Sequence, residues 1–293
     1  MDSRYVIVTP ACNEEQYIGQ TIESVLQQTV LPLTWVIVDD GSTDATARIV
    51  QEYAEQYPFI RYHYRIKNQD DAYYASNVFA IDEGYGLLQD TPYDFLAILD
   101  ADIQLPAEYY QRILREFERD PDLGTASGVY RNLINGKLHK VLHDRRSTPK
   151  AIQVFRKEVY QQIGGYLPLP AGGEDTISCV MTRMIGKKAW SFPEIVATHL
   201  RPTGTGSAKG KLRVRFRQGC TEHQLGSHPV FFLLKSMRRM VLEPPFLLGG
   251  LARVAGYVSA SCRKHDYTLP GNVRQQYRQE QLERVFRLNR VSG

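Results

Sequence analysis

Two aspartates, Asp100 and Asp102, follow the apolar run Phe95–Leu99 with one alanine between them. Residues two apart on an extended chain point to the same side, so both carboxylates would face one direction where the strand ends. Carboxylate oxygens suit a hard divalent cation such as Mg²⁺ or Mn²⁺, and such an ion can also bind the oxygens of a diphosphate. An isolated pair of this kind is more often a solvated loop, but the preceding apolar strand favours a metal–diphosphate site.

Two further pairs of acidic residues have a comparable setting. Asp39 and Asp40 follow the β-rich run Trp35–Val38, and a carboxylate at such a strand end can accept the N–H hydrogens of uracil or guanine. The same residues would also serve as a turn that caps the next helix. Glu174 and Asp175 open a predicted helix after two glycines, where acids complement the helix dipole and where a general base could also lie.

The elements that would position these acids alternate between strands and helices. Short β-rich runs predict strands at Tyr5–Thr9, Trp35–Val38, Arg61–Tyr64 and Phe95–Leu99. Apolar residues at helical spacing predict helices from Ile18, over Ala45–Tyr57, over Ala72–Leu88 and over Ala107–Glu118. This alternation predicts an α/β fold with a mostly parallel sheet, helices on both faces, and ligands bound beyond the carboxyl ends of the strands.

The pattern becomes irregular after Gly124. Strands are predicted at Ala126–Asn132, Ala151–Phe155, Trp190–Phe192 and Ile195–His199, with a helix over Glu174–Ile185. The loop Thr203–Gly210 would form a lid over a bound ligand. Arg213, Arg215 and Arg217 follow at alternate positions; on a strand they would share one face, whereas on a helix they would spread.

Four segments together resemble a family 2 glycosyltransferase with the GT-A fold, namely Val6–Glu15, Val38–Asp44, Asp100-Ala101-Asp102 and Gly172–Asp175. The resemblance covers roughly residues 4–220. It implies a GT-A domain over residues 1–225, with a nucleotide-binding half at 1–120 and an acceptor half at 121–225. Residues 226–293 would form a helical extension.

The resemblance also implies roles for individual residues. Asp102, with Asp100 and His199, would bind Mg²⁺ or Mn²⁺, and Asp100 would also contact the donor. Asp175 would be the general base, and Glu174 would position it or bind the acceptor. The remaining substrate-binding residues would be Thr9, Pro10, Ala11, Glu14, Asp39, Asp40, Arg215 and Arg217.

The chain departs from the family pattern in two places. Many relatives carry an Asn-x-Gly and an Arg-Asn pair before the metal motif, and here Arg65 and Lys67 are only candidates for that arginine. The Gln-x-x-Arg-Trp motif of processive synthases is missing from the sequence, which argues against a polymerising enzyme.

Composition sets further bounds on the 293-residue chain. A formal net charge of +4 gives no electrostatic case for nucleic acid. The four cysteines lie far apart, which signals neither a zinc site nor a disulfide framework and is typical of a reducing compartment. The amino terminus has no signal-peptide pattern, so we expect the cytoplasm or the inner face of the plasma membrane.

The carboxyl-terminal part is basic and partly apolar. Pro229–Leu242 and Phe246–Ala260 are apolar segments interrupted by cations and separated by two prolines, and Tyr267–Arg290 predicts a polar terminal helix. Neither apolar segment has the ~20 uninterrupted apolar residues that a spanning helix needs. Two amphipathic helices on a membrane surface fit this pattern, and packing on the core or an oligomer interface is the alternative.

The predicted function is inverting, metal-dependent transfer of one sugar from a nucleoside-diphosphate donor, with UDP favoured, to a glycan or lipid-linked acceptor. By family habit, such an enzyme would act in bacterial exopolysaccharide, capsule or O-antigen synthesis. The alternatives are a non-catalytic nucleotide-sugar or glycan-binding module and a polyprenyl-phosphate glycosyltransferase. A sugar-nucleotide synthase would need a Gly-rich basic loop after the first strand, which Pro10–Glu15 does not supply.

Overall fold

The computed structural model describes residues 4–68, 71–202, 210–263 and 268–290. The strands are β1 (Tyr5–Ala11), β2 (Thr34–Asp39), β3 (Ile60–Tyr64), β4 (Phe95–Leu99), β5 (Ile103–Gln104), β6 (Leu123–Ile134), β7 (Lys137–Lys140), β8 (Ile152–Arg156) and β9 (Lys188–His199). The helices are α1 (Ile18–Leu26), α2 (Thr46–Gln56), α3 (Tyr73–Gly86), α4 (Tyr109–Arg119), α5 (Lys157–Gln162), α6 (Glu174–Met184), α7 (Lys211–Gln224), α8 (Pro229–Leu242), α9 (Phe246–Cys262) and α10 (Gly271–Arg290).

The chain divides into two compact units. The first consists of Met1–Pro168 and Glu174–Thr203 and contains β1 to β9 with α1 to α6. The second consists of Leu169–Gly173 and Gly204–Gly293 and contains α7 to α10. The predicted functional boundary at residue 225 stays a prediction, because compact packing does not by itself define a function.

In the first unit the described strands form one sheet in the order β3-β2-β1-β4-β8-β6-β9-β5, with β7 paired to β6. The half formed by β3, β2, β1 and β4 is parallel throughout. Beyond it, β8 runs antiparallel to both β4 and β6, while β6 and β9 are parallel. The predicted α/β fold is confirmed.

Helices cover both faces of the parallel half. Ile7 and Ile37 pack with residues of α1, α2 and α4 on one face, whereas Val8 and Val38 pack with residues of α3 on the other. Successive side chains of a strand point to opposite faces, so a strand buried on both must be apolar at nearly every position. This explains the continuous β-branched runs that identify β1 and β2 in the sequence.

The carboxyl ends of β1, β2 and β4 meet at one edge of the sheet. Ala11 is in register with Asp39, and the Asp40 amide donates to the Ala11 carbonyl at 2.8 Å. β4 pairs with β1 on the other side, so that its last residue leads directly into Asp100. The polar residues after the three strands therefore lie along this edge, as predicted for a parallel sheet.

One local prediction was wrong, and another is not tested. The two strands predicted at Trp190–Phe192 and Ile195–His199 are the single strand β9, whose register against β6 shifts between Ser127↔Ser191 and Val129↔Val196. A bulge of this kind breaks the alternation of side chains without ending the strand. The lid predicted at Thr203–Gly210 lies almost wholly outside the described residues.

The helices of the second unit include a close crossing between α7 and α9. A Cβ added to Gly219 would lie 1.9 Å from the Arg253 carbonyl oxygen, and one added to Gly256 would lie 2.0 Å from that of Phe216. Such distances are far below van der Waals contact, so both positions need glycine. The Cys220 thiol, adjacent to this crossing, donates to the Gly256 carbonyl oxygen at 3.2 Å.

Gly256→Ala is therefore expected to destabilise the second unit by about 1–3 kcal/mol, the usual cost of overpacking. Urea unfolding followed by circular dichroism measures this change. Gly271→Ala is the matched control, because a Cβ at Gly271 would meet nothing within 4 Å. Equal free energies of unfolding for the two variants would contradict the close crossing.

Helices α8 and α9 lie where the two amphipathic segments are predicted. Both present exposed apolar side chains, including Leu233, Met237 and Leu251. None of the helices in the described ranges is both long and apolar enough to cross a membrane. The terminal helix α10 begins at Gly271 rather than at Tyr267, which lies outside the described residues.

Candidate active site

Asp102 and His199 come together at the end of β4. The short strand β5 pairs antiparallel with β9 in the register Ile103↔His199, and this pairing places the two side chains side by side. His199 Nε2 lies 3.2 Å from Asp102 Oδ2, and Arg201 Nε lies 2.5 Å from the same oxygen. Burial raises the pKa of the Asp102 carboxyl, but His199 and Arg201 outweigh it and hold that pKa below its ordinary value.

The orientation of the His199 ring suits a cation beside Asp102. Its Nδ1 lies 3.2 Å from the Asn132 side-chain oxygen, which only accepts, so Nδ1 carries a proton and Nε2 is the nitrogen that faces Asp102. Nε2 and Asp102 Oδ2 are the two atoms that a divalent ion at this position would bind. Fixing the second ring nitrogen in this way is also how proteins orient histidine ligands.

These residues fit a divalent ion that completes its coordination with other oxygens. In the described ranges, no group of three or more His, Cys, Asp or Glu side chains is arranged to hold a metal ion. The 3.2 Å between Nε2 and Oδ2 matches the separation of adjacent ligands on an octahedral ion, about 3 Å. Mg²⁺ is commonly held by one or two protein ligands together with water and phosphate oxygens.

Asp100 is paired with a buried lysine that no sequence motif indicates. Lys150 Nζ donates to Asp100 Oδ1 at 2.5 Å and to the Asn77 side-chain oxygen at 2.8 Å. Burial lowers the pKa of Lys150, but Asp100 and Glu174 raise it by more, so that lysine is charged. Asp100 thus has a cationic partner, as Asp102 has in Arg201. The role of Asp100 as a metal ligand stays a prediction.

Arg201 links Asp102 to the first loop. Its guanidinium contacts Glu14 at 2.5 Å and lies over the ring of Tyr17. The other Glu14 oxygen is buried and has no hydrogen-bond partner among the described residues. Burial raises the pKa of Glu14 to about 7, Asp102 and Asp100 add to this, and Arg201 opposes it.

The two aspartates after β2 have different partners. Asp39 accepts from the Ser42 amide at 2.8 Å and from the Tyr62 hydroxyl at 3.0 Å, which matches the capping interpretation. Asp40 is buried and accepts from Arg65, from Ser76 and, at 3.2 Å, from Lys67. Both Asp40 oxygens therefore already accept hydrogen bonds, and a role for Asp40, Arg65 or Lys67 in donor binding stays a prediction.

The end of β1 supplies backbone rather than side chains. The Thr9 hydroxyl accepts from the Trp35 indole at 2.9 Å, and Thr9, Pro10 and Ala11 are all buried. The Glu14 amide donates to the Thr46 hydroxyl at 2.7 Å, which holds the loop against the start of α2. Any contact of these residues with a base and ribose stays a prediction.

Glu174 and Asp175 form the first turn of α6, where the helix dipole stabilises negative charge. Asp175 accepts from the Thr176 amide at 2.6 Å and remains partly exposed. Glu174 is 5% exposed, and one of its oxygens has no hydrogen-bond partner within the described ranges. Burial raises the pKa of Glu174 to about 7, Lys150 opposes this, and Asp175 and Asp100 add to it.

This raised pKa predicts a pH-dependent stability. Glu174 titrates near 4.5 when unfolded and about 7 when folded, so the folded state binds its proton more tightly and loses stability as pH rises between these values. Glu174→Gln removes that loss. Its free energy of unfolding relative to wild type should increase over this range by on the order of 3 kcal/mol.

Urea unfolding at several pH values measures this difference. Glu55→Gln is the matched control, since Glu55 is exposed on α2. A Glu174→Gln difference that does not change with pH, as expected for the control, would contradict the raised pKa.

Arg215 and Arg217 lie on α7 in the second unit, so the basic cluster spreads around a helix instead of sharing one strand face. Arg215 donates to the Gln218 side-chain oxygen at 3.2 Å and to the Pro244 carbonyl at 3.1 Å. Their predicted contact with a diphosphate stays a prediction.

The comparisons with known proteins identify the family. The sequence model described as glycosyl transferase family 2 matches residues 6–168. The chain is 32% identical over 127 residues to a chondroitin synthase of Escherichia coli, covering 43% of this chain and 17% of that protein. It is 47% identical over 47 residues to a 4,4'-diaponeurosporenoate glycosyltransferase of Staphylococcus aureus, covering 16% and 12%. The chain thus spans less than a fifth of these curated relatives.

Solved structures share the fold. The mannosyltransferase PcManGT from Pyrobaculum calidifontis, in complex with GDP-Man and Mn²⁺, superposes with a TM-score of 0.62 at 17% identity, covering 89% of this chain and 88% of that one. TarS 1-349 of S. aureus, in complex with UDP-GlcNAc, gives 0.54 at 13% identity, covering 91% and 93%. At these identities the likeness supports the GT-A fold alone.

Proposed function

The chain belongs to glycosyl transferase family 2, and on this premise we propose that it moves a single sugar from a nucleoside diphosphate to a glycan or lipid-linked acceptor, with inversion. The prediction of a glycosyltransferase is confirmed at the level of the family. The observation that carries the proposed mechanism is the buried pair Asp102–His199 at the end of β4, in the same compact unit as Asp40 and Asp175.

Asp102 and His199 would hold Mg²⁺ or Mn²⁺, with Asp100 beside them. When bound, the ion neutralises the charge that develops on the diphosphate leaving group. PcManGT was solved with Mn²⁺ and GDP-Man, which supports divalent metal use in this fold. Arg201 now bridges Glu14 and Asp102, and its guanidinium would be free to contact a phosphate once a metal ion takes its place on Asp102.

Asp175 is the proposed general base. An inverting transfer needs a base that faces the anomeric carbon from the side opposite the leaving diphosphate and removes the acceptor's hydroxyl proton. Asp175 is partly exposed, and burial raises its pKa, which strengthens its affinity for a proton. Glu174, more deeply buried beside it, would position Asp175 or bind the acceptor.

The donor base would be recognised at the end of β2. Asp40 is the better candidate by family resemblance, whereas Asp39 accepts the hydrogen bonds from Ser42 and Tyr62 that hold the local turn. Thr9, Pro10, Ala11 and Glu14 would enclose the base and ribose, with Thr9 contributing its backbone. The family resemblance favours UDP over GDP. The structural relatives include proteins solved with GDP-Man and with UDP-GlcNAc.

The acceptor is proposed from chemistry and from the relatives. The relatives include a chondroitin synthase and a 4,4'-diaponeurosporenoate glycosyltransferase, and a glycan or lipid-linked acceptor is proposed for this chain. We place the enzyme at the inner face of the plasma membrane, with α8 and α9 on its surface, in bacterial cell-envelope polysaccharide synthesis. A polyprenyl phosphate is the alternative acceptor.

Thermal-shift screening of nucleoside-diphosphate sugars with and without Mn²⁺, followed by assay of sugar release, tests this function. A donor at 100 times its Kd stabilises the folded state by about 2.7 kcal/mol. We expect one nucleotide class to raise the melting temperature only with the metal, and the same class to be slowly hydrolysed. Binding without hydrolysis or transfer would favour the non-catalytic binding module.

A further inference from the structure

Three arginines surround one carboxylate at the turn between α8 and α9. Arg239 on α8 donates to both oxygens of Glu243, at 2.7 and 2.9 Å. Arg215 on α7 lies 3.2 Å from the same carboxylate, and Arg253 on α9 lies 3.6 Å from it. We call Arg215, Arg239 and Arg253 the arginine cluster. One carboxylate cannot neutralise three guanidiniums, so positive charge is in excess here.

The innermost member of the cluster is incompletely paired. Arg253 is 4% exposed, and its Nη2 has no hydrogen-bond partner in the described residues. Burial lowers the pKa of Arg253 to about 10, and repulsion from Arg239 and Arg215 adds to this. Another nearby carboxylate, that of Glu222, is already paired with Lys235, so it does not neutralise the excess positive charge of the arginines. The arginine cluster therefore carries more positive charge than Glu243 and Glu222 neutralise, and this favours binding of an anion.

The two outer arginines can reach that anion. The side chains of Arg239 and Arg215 are 26% and 20% exposed, so their guanidiniums border solvent. Arg215 is also fixed by the Pro244 carbonyl oxygen and the Gln218 side chain, which reduces the entropy lost on binding. Planar guanidiniums in this setting match the oxygens of a phosphate.

Exposed apolar side chains flank the same turn. Val241 and Leu242 precede Glu243 and are 74% and 48% exposed. Phe246, Leu247 and Leu248 follow the two prolines and are 57%, 62% and 60% exposed. Apolar side chains beside a cation cluster are the arrangement by which proteins bind the boundary between lipid headgroups and acyl chains.

We propose that the α8–α9 turn binds the phosphate headgroup of an anionic membrane lipid, with the arginine cluster on the phosphate and the flanking apolar residues among the acyl chains. The proposal rests on the membrane contact of the proposed function and is independent of sugar transfer. Charge complementarity favours an anionic lipid over a second copy of the chain. A second copy would place two positively charged surfaces against each other.

Binding of the full chain to phosphatidylcholine vesicles, with and without phosphatidylglycerol, tests the proposal. Wild type should bind the anionic vesicles more tightly. Arg239→Gln should weaken that binding by more than about tenfold, the loss expected for a charged hydrogen bond. Arg238→Gln is the matched control on the same helix, since removing an exposed cation near a membrane costs about fivefold.

Glu243→Gln tests the same site with the opposite sign. Removing the carboxylate that competes for the arginines should strengthen binding to the anionic vesicles, and an unchanged melting temperature would show that the variant is folded. Equal binding to both vesicle types, or equal losses for Arg239→Gln and Arg238→Gln, would overturn the proposal.

Two other outcomes would assign the site to a different occupant. Stabilisation by inorganic phosphate without vesicle binding would assign it to a soluble anion. Concentration-dependent dimerisation without vesicle binding would assign the face to a second copy of the chain.

Donor hydrolysis without lipid separates this inference from the proposed function. We expect Arg239→Gln to hydrolyse the donor at the wild-type rate while losing its preference for anionic vesicles. Vesicle binding by a protein that hydrolyses no donor would contradict sugar transfer and leave the lipid site standing.

Discussion

Asp102→Asn is expected to reduce sugar transfer about a thousandfold or more. The substitution keeps the size of the side chain but removes the charge that pairs with His199 and Arg201. Losing metal stabilisation of a diphosphate leaving group costs several kcal/mol, and each 1.36 kcal/mol is a factor of ten in rate. The measurement is sugar release from the donor found by screening, at saturating Mn²⁺.

Asp90→Asn is the control for that experiment, because Asp90 is an exposed acid outside the site. The melting temperature of each variant shows whether it is folded. The Mn²⁺-dependent stabilisation by nucleotide should also disappear in Asp102→Asn and persist in Asp90→Asn. A folded Asp102→Asn protein that transfers sugar at the wild-type rate would remove the metal from the mechanism.

Asp175→Asn is expected to lower kcat by about 10²- to 10⁴-fold, the contribution of a positioned general base. Asp175 lies in the first turn of α6 and interacts with Lys150 rather than with Asp102 or Asp40, so we expect nucleotide binding to change much less than kcat. A selective loss of kcat would distinguish Asp175 from Asp102, whose substitution should affect metal-dependent nucleotide binding as well.

Glu174→Gln is the neighbouring comparison. Because Glu174 is buried beside Lys150 and Asp175, its substitution should raise KM for the acceptor or lower kcat less than Asp175→Asn does. If Glu174→Gln alone abolished transfer while Asp175→Asn remained active, the assignment of the base would have to be exchanged between the two.

The parallel half of the fold could be predicted from sequence because its signals are local. β1, β2 and β4 are buried on both faces, so each reads as a continuous apolar run that ends in polar residues. The ends of such strands lie at one edge of the sheet, and this rule predicts from sequence that Asp40 and Asp102 lie in one region. Helices α8 and α9 could also be predicted from sequence, because two prolines separate the two apolar segments.

The partners of the site residues could not be predicted, because distant pairing creates them. The two-residue strand β5 carries no pattern of its own, yet its pairing with β9 is what sets Asp102 beside His199. Lys150 binds Asp100, which lies 50 positions earlier in the sequence, and Arg201 binds Asp102, which lies 99 positions earlier. No local spacing rule connects residues so far apart.

Anomalous diffraction from crystals grown with Mn²⁺ and UDP would test the central claim most directly. We predict a manganese peak within bonding distance of the Asp102 carboxylate and His199 Nε2, with diphosphate oxygens on the same ion and Arg201 displaced from Asp102. A folded protein with the nucleotide seated at the edge of the sheet and no manganese at Asp102 would contradict the account.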